Sequence, residues 1–260
     1  MALPLSVTII TLNAAASLRR CLESAAWADE LLIVDSGSSD ATLAIAEEFN
    51  CRILHNAWPG YGAQKHFAAM QARHDWILSL DADEWLSPQL ADNVRRLLQT
   101  TPPYSAYYLT RCNRFMGKWL RHGEGYPDPV LRLFDRRRAQ WSGDTIHEKV
   151  IYAGNAGRLT GDLFHQSEHG IGAYLEKQNR YTTLQAEQLH KEGKHAGLAQ
   201  LLLSPILRFI KFYFLRRGFL DGLPGLVHIT IGCFNSFMKY AKLRDIELAS
   251  RRKVRSADER

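Results

Sequence analysis

The chain has few cysteines, and none of them are close together. Cys21, Cys51, Cys112 and Cys233 form no CxxC pair in 260 residues. That spacing argues against a zinc knuckle or a disulfide framework and fits a reducing compartment. The first residues, Met1 to Ser6, carry no basic cluster ahead of a short, β-branched apolar run. They read as the approach to a first strand, not as a secretion signal. No stretch offers an uninterrupted transmembrane span: the best, Gly222 to Met238, contains Pro224, His228, Asn235 and Ser236. No periodic repeat is visible.

The residues present give a 29.6 kDa chain that is 46% hydrophobic, enough for a substantial core. This size suits one large domain, or one domain with an appendage. A net charge of +6 and a pI near 9.2 favour acidic partners: nucleotides, anionic lipids or nucleic acid.

Strand and helix patterns alternate over the first hundred residues. Val7–Thr11, Leu31–Val34, Cys51–Leu54 and Trp76–Leu80 are short β-branched or apolar runs. Ser17–Ala26, Asp40–Phe49 (with Asp40 as cap), Gln64–Arg73 and Pro88–Gln99 have helical spacing, the last behind a Ser87-Pro88 cap. Repeated βα units predict an α/β fold: a mostly parallel, Rossmann-like sheet with helices on both faces. After Pro103 the connections become loop-rich and aromatic, and Ala106–Thr110, Val130–Phe134 and Ile146–Ile151 read as strands of an antiparallel extension. From about Ala173 the pattern is helical.

Asp81 and Asp83, one residue apart, follow the buried run Trp76–Leu80. Ligands of open α/β sheets collect at carboxyl ends of strands. Paired carboxylates there suit Mg²⁺ or Mn²⁺ bridging to a diphosphate. A solvated turn explains the same pair equally well. Asp35 ends another strand and can accept hydrogen bonds from a nucleobase or ribose, and Gly37 lets the backbone approach a ligand. The alternative is a loop that caps the following helix.

Four segments in order, Val7–Asn13 (VTIITLN), Val34–Thr42 (VDSGSSDAT), Ala63–Lys65 (AQK) and Leu80–Glu84 (LDADE), resemble the family 2 glycosyltransferases of GT-A fold. The resemblance implies that Thr11, Asn13, Asp35, Gly37, Lys65 and Asp81 bind the nucleotide sugar. It also implies that Asp83, helped by Asp81, holds the metal.

In the second half, Glu148 resembles the family's catalytic carboxylate, a general base for the acceptor hydroxyl; pairing with Lys149 is the plainer alternative. Many members have Glu-Asp where this chain has His147-Glu148. Arg132 alternates with apolar neighbours, so it faces away from them. It meets the acceptor or diphosphate, as His147 would, or it pairs with Asp128 or Asp135. His165 ends a short apolar run as a third metal ligand or a structural histidine. Tyr126–Asp128, Arg132–Phe134, Ile146–Lys149, His165–Ser167 and Phe219–Leu226 resemble the bacterial lipopolysaccharide inner-core β-glucosyltransferases. Those enzymes imply a UDP-sugar donor, glucose, and a heptose acceptor on a lipid-linked saccharide.

From Leu201 to Arg217, aliphatic and aromatic residues interleave with Arg208, Lys211, Arg216 and Arg217, and a basic tail follows. This pattern suits an interfacial helix on an anionic membrane surface, or the core or dimer seam of a helical subdomain. The domain expectation is 1–170 for the GT-A domain, with 1–100 for the nucleotide sugar and 101–170 for the acceptor side. A helical, membrane-associating, amphipathic extension fills 171–260. The expected location is cytoplasmic, peripheral on the inner face of the cytoplasmic membrane, with no nucleic-acid partner. Two other readings stay open: a polyprenyl-phosphate glycosyltransferase, and a non-catalytic basic membrane-binding module. A nucleotidyltransferase also fits a Rossmann-like sheet, but the sequence shows no Gly-rich basic loop for a triphosphate.

Overall fold

The β-branched runs become the centre of one sheet. The structure is a computed structural model and describes residues 2–142, 148–166 and 170–258. Two compact units emerge: Met1–Asn113 with Asp128–Ser167, and Arg114–Pro127 with Glu168–Arg260.

In the first unit, β1 (Leu5–Thr11), β2 (Glu30–Asp35), β3 (Arg52–His55) and β4 (Trp76–Asp81) run parallel in the order β3-β2-β1-β4. Strands β5 (Glu84–Leu86), β6 (Ala106–Phe115), β8 (Asp128–Asp135) and β11 (Gly157–His165) continue the sheet as β8-β6-β11-β5. Here the expected antiparallel extension is mixed. β8 is antiparallel to β4 and β6, β11 is parallel to β6, and β5 is antiparallel to β11. The short β7 (Lys118–Trp119) pairs with the end of β6, and β9 (Ala139–Trp141) with β10 (Val150–Tyr152). Residues 143–147 of the expected Ile146–Ile151 strand region, His147 among them, lie outside the described residues.

Period-2 alternation splits the core between the two sheet faces. Leu5, Val7 and Ile9 pack with Leu18, Cys21, Leu22 and Ala25 of α1 (Ala15–Ala25) and Leu90, Val94 and Leu98 of α4 (Pro88–Leu98). On the opposite face Ile10, Leu32 and Val34 pack with Ala68 and Ala69 of α3 (Tyr61–Gln71), Phe134 and Trp141. Helix α4 starts as expected: Ser87 accepts from the Leu90 amide and Pro88 fills the first turn. Helix α2 (Thr42–Glu48) starts two residues after the expected cap, Asp40. Asp40 accepts from the Thr42 amide and from the Ala15 amide, so it ties the starts of α2 and α1 together. Helix α3 begins three residues earlier than its spacing predicted, because Gly60, at φ 109°, makes the turn into it.

The second unit is helical. α5 (Ile171–Lys191) and α6 (Leu198–Phe209) both pack on α7 (Gly222–Asp258), with Ala186, Ala196 and Leu243 at a small core. A π-helical turn, Ile210–Leu215, continues α6. The segment Arg114–Pro127 belongs to this unit through polar contacts: Asp221 accepts from the Arg121 and His122 amides, and Glu124 pairs with Arg208. One sequence expectation is corrected here. Leu198–Leu215 is long and apolar enough to cross a membrane by length and composition, with a mean hydropathy of 1.5 and none of it buried. The helix α6 runs through Pro205 and Arg208.

Candidate active site

The parallel strands deliver their carboxyl ends to one edge of the sheet. Thr11 ends β1 and Asp35 ends the neighbouring β2, in register with each other. Asp35 is buried and accepts four hydrogen bonds: from Thr11 Oγ1 at 2.8 Å, from the Gly37 and Ser38 amides at 2.8 Å each, and from the Ser38 hydroxyl. Burial by itself would raise its pKa. The Ser38, Thr11 and Gly37 donors override that and lower it. A carboxylate offers about four lone-pair positions, and here all are filled. Asp35 therefore organises the loop, and a direct contact with a nucleobase would have to displace one of these donors. Gly37, at φ 104°, makes the turn possible. Asn13, at φ 50°, clamps the loop from the other side: its amide donates to Ser38 Oγ and its Oδ1 accepts from the Ser39 amide.

Asp81, at the end of β4, is the centre of an ionic network. Its Oδ2 is 2.6 Å from Arg132 Nη2, and its Oδ1 is 2.9 Å from Lys65 Nζ, an ion pair more than a well-directed hydrogen bond. Burial would raise the Asp81 pKa, but the charges of Arg132 and Lys65 hold it well below the usual carboxylate range. Arg132 also reaches Glu84 Oε1 at 2.8 Å. Glu84 is fully buried, accepts from the Asp81 amide, and lies 3.4 Å from Arg111. Arg111 in turn meets Asp128 at 2.8 Å. Burial disfavours the Arg132 cation, yet Asp81 and Glu84 raise its pKa. The expected Arg132 partners, Asp128 and Asp135, are engaged elsewhere: Asp128 holds Arg111 and Asp135 holds Arg137.

Glu148 Oε1 lies 3.6 Å from Lys65 Nζ, with about a quarter of its side chain exposed. Its plainer partner, Lys149, is not the contact found. Lys65 is buried on α3, with its Nζ 5.1 Å from the Trp141 ring centroid. One ammonium thus bridges the Asp81 end of the site and the carboxylate read as a base.

Asp83 and His165 converge through strand register, since β11 sets His165 opposite Glu84 and Asn113. Their Oδ2 and Nε2 atoms are 3.3 Å apart. Asn113 Nδ2 donates to Asp128 Oδ2, which turns its Oδ1 toward His165 Nδ1 at 2.7 Å. An amide oxygen only accepts, so Nδ1 donates to Asn113, and Nε2 is the ring nitrogen that faces the Asp83 carboxylate. Two donor atoms aimed at one point, with the imidazole fixed by an outer hydrogen bond, fit a divalent cation. Among the described residues no third His, Cys, Asp or Glu completes a protein-only metal cluster. That donor set suits Mg²⁺ or Mn²⁺ finished by phosphate and water oxygens.

Sequence reasoning missed Glu84, Arg111 and Asn113. Arg111 and Asn113 lie beyond Thr110, where the strand pattern was ended, but they keep its alternation. Glu84 was hidden in an acidic run, although Trp85 and Leu86 after it signal a strand.

Comparison with known proteins gives the family. The chain matches the profile of Glycosyl transferase family 2 over residues 6–160. It is 32% identical to the lipopolysaccharide core biosynthesis glycosyltransferase LpsC of Rhizobium meliloti, over 93% of this chain and 92% of that protein. It is 31% identical to an uncharacterized glycosyltransferase of Rickettsia typhi, over 97% of this chain and 90% of that protein. Among solved structures, S. aureus TarS 1-349 in complex with UDP-GlcNAc aligns over 96% of this chain and 92% of that one, at 13% identity and TM-score 0.48. With its GT-A sheet and these relatives, the chain belongs to glycosyl transferase family 2 and is a glycosyltransferase.

Proposed function

We propose that this enzyme transfers glucose from a UDP-sugar to a heptose of a lipid-linked lipopolysaccharide core, with inversion at the anomeric carbon. The relationship to LpsC supports the acceptor class. One observation carries the chemistry: Glu148 and Asp81 lie 3.6 and 2.9 Å from one ammonium, that of Lys65.

In this mechanism the loop of Thr11, Asn13, Asp35 and Gly37 receives the nucleotide. Arg132 and Lys65 hold Asp81 ionised and fixed. Asp83 and His165 would hold the divalent cation, which when bound supplies positive charge for the leaving diphosphate. Glu148 takes the proton from the acceptor hydroxyl. The hydroxyl oxygen forms a bond to C1 as the bond from C1 to the UDP oxygen breaks on the opposite face. Lys65 positions Glu148 for that transfer. His147 is retained as an acceptor contact by sequence alone.

The acceptor's lipid suggests where the enzyme works. The wholly unburied segment Leu198–Leu215, with Lys211, Arg216 and Arg217 exposed beside it, supports peripheral attachment to the cytoplasmic face of an anionic membrane.

The test is UDP release from UDP-glucose, UDP-galactose and UDP-N-acetylglucosamine, with and without Mn²⁺. Release from one donor, dependent on metal, is expected. No release from any donor would overturn the reading. With Glu148→Gln, collapse of turnover is expected while donor binding persists. A modest loss would move the assignment to a polyprenyl-phosphate acceptor, whose attacking oxygen is already anionic.

A further inference from the structure

Trp58 and Tyr61 flank the turn between β3 and α3, and both are exposed, at 46% and 57%. Of the six tryptophans in the chain, Trp58 is the one that stands open. The two rings meet edge to face with centroids 4.7 Å apart, so each fixes the other. The base of the turn is tightly held. Fully buried Gln64 accepts from Asn56 Nδ2 at 2.6 Å and donates to the Asn56 carbonyl and to Ser36 Oγ. Exposed aromatic surface on a stiff stem works against solubility unless a ligand uses it. Tyr61 also adjoins the chemistry: Lys65 Nζ lies 5.9 Å from its ring centroid and 3.6 Å from Glu148 Oε1.

We infer that Trp58 and Tyr61 form a stacking platform for the acceptor saccharide. The electron-rich ring face complements the weakly positive C–H face of a pyranose, and the ring buries that face from water. Tyr61 lies beside the Lys65 ammonium that also meets Glu148, so a sugar seated on the pair would extend toward the carboxylate that receives the acceptor proton. This rests on the reading of Glu148 as the base. The platform selects by ring shape, leaving charge recognition to the ionic network.

The experiment compares wild type with Trp58→Ala, Tyr61→Ala and Trp58→Phe. The probes are UDP-glucose as donor, a delipidated heptose-terminated core oligosaccharide as acceptor, and UDP alone by calorimetry. With the Ala variants the acceptor KM is expected to rise roughly tenfold, with UDP affinity unchanged. Trp58→Phe, which keeps a ring, should recover most of that loss. An unchanged acceptor KM would overturn the platform, as would a Phe variant as poor as the Ala variant. A matching loss of UDP affinity would overturn it in favour of a nucleobase platform. A wild type inactive with UDP-glucose would instead remove the proposed UDP-glucose reaction, whatever the Trp58 variants do.

Discussion

Each charged side chain near Asp81 has a distinct task, and substitution separates them. Glu148→Gln keeps shape and removes basicity, so kcat should fall about 10²–10⁴-fold while UDP binding is retained. Single-turnover kinetics beside calorimetry would check both. Arg132 is different because it is buried between two carboxylates. Arg132→Ala removes the cation that Glu84 and Asp81 share, leaving Glu84 to Arg111 and Asp81 to Lys65, and a loss of about 3 kcal/mol of stability is expected by urea denaturation. Activity should disappear with the fold and not ahead of it. His165→Ala should leave stability nearly unchanged and raise the Mn²⁺ concentration needed for half-maximal turnover, because it removes one of two converging donors. Much of this was legible in the sequence: Asp81, Asp83 and His165 each end an apolar run. The pairing of Arg132 was not, because Asp81 and Glu84 reach it across strands that are distant in sequence.

Elements place these residues, and two contacts show how tightly. Gly161 in β11 has φ 101°, and a Cβ there would lie 2.6 Å from the Leu90 amide nitrogen at the start of α4. Gly161→Ala should cost on the order of 1–3 kcal/mol, read as a lower urea midpoint. Glu30 opens β2 and is buried, accepting from Ser6 Oγ and the Arg73 amide at 2.6 Å each. Burial would raise its pKa; those bonds and Arg52 override it and lower it. A carboxyl with a lowered folded pKa stabilises the fold above its unfolded value, about 4.3, and loses that contribution as pH falls through the folded value. The urea midpoint should therefore drop on acidification below about pH 4.3, and drop less in Glu30→Gln. Repeated βα periodicity revealed the first hundred residues as strands and helices in order. It could not reveal the order β8-β6-β11-β5, since mixed pairing depends on long-range register that no local pattern encodes.

At the scale of the whole molecule, a hydrophobic belt on α6 and an ionic centre around Asp81 are what the proposed partners would meet. Leu202 and Ile206 lie on the bare face of α6, at 56% and 54% exposure. A Leu202→Asp/Ile206→Asp double variant should lose co-sedimentation with phosphatidylglycerol vesicles yet keep UDP binding. Raising salt should weaken wild-type binding only in part, because apolar insertion is not screened. Equal binding of the variant would remove the membrane role. The sequence displayed the belt's composition, but its continuity through Pro205 needed the three-dimensional path. The ionic centre has another consequence. Lys65, Arg111 and Arg132 face Asp81, Glu84, Asp128 and Glu148, three cations against four anions in one connected chain. A cradle with one surplus negative charge has no spare attraction for a polyanion, so a nucleotide diphosphate should gain entry chiefly in the company of its own counter-ion. Chelation should then weaken UDP capture itself as well as turnover, making the ion a condition of admission to the enzyme.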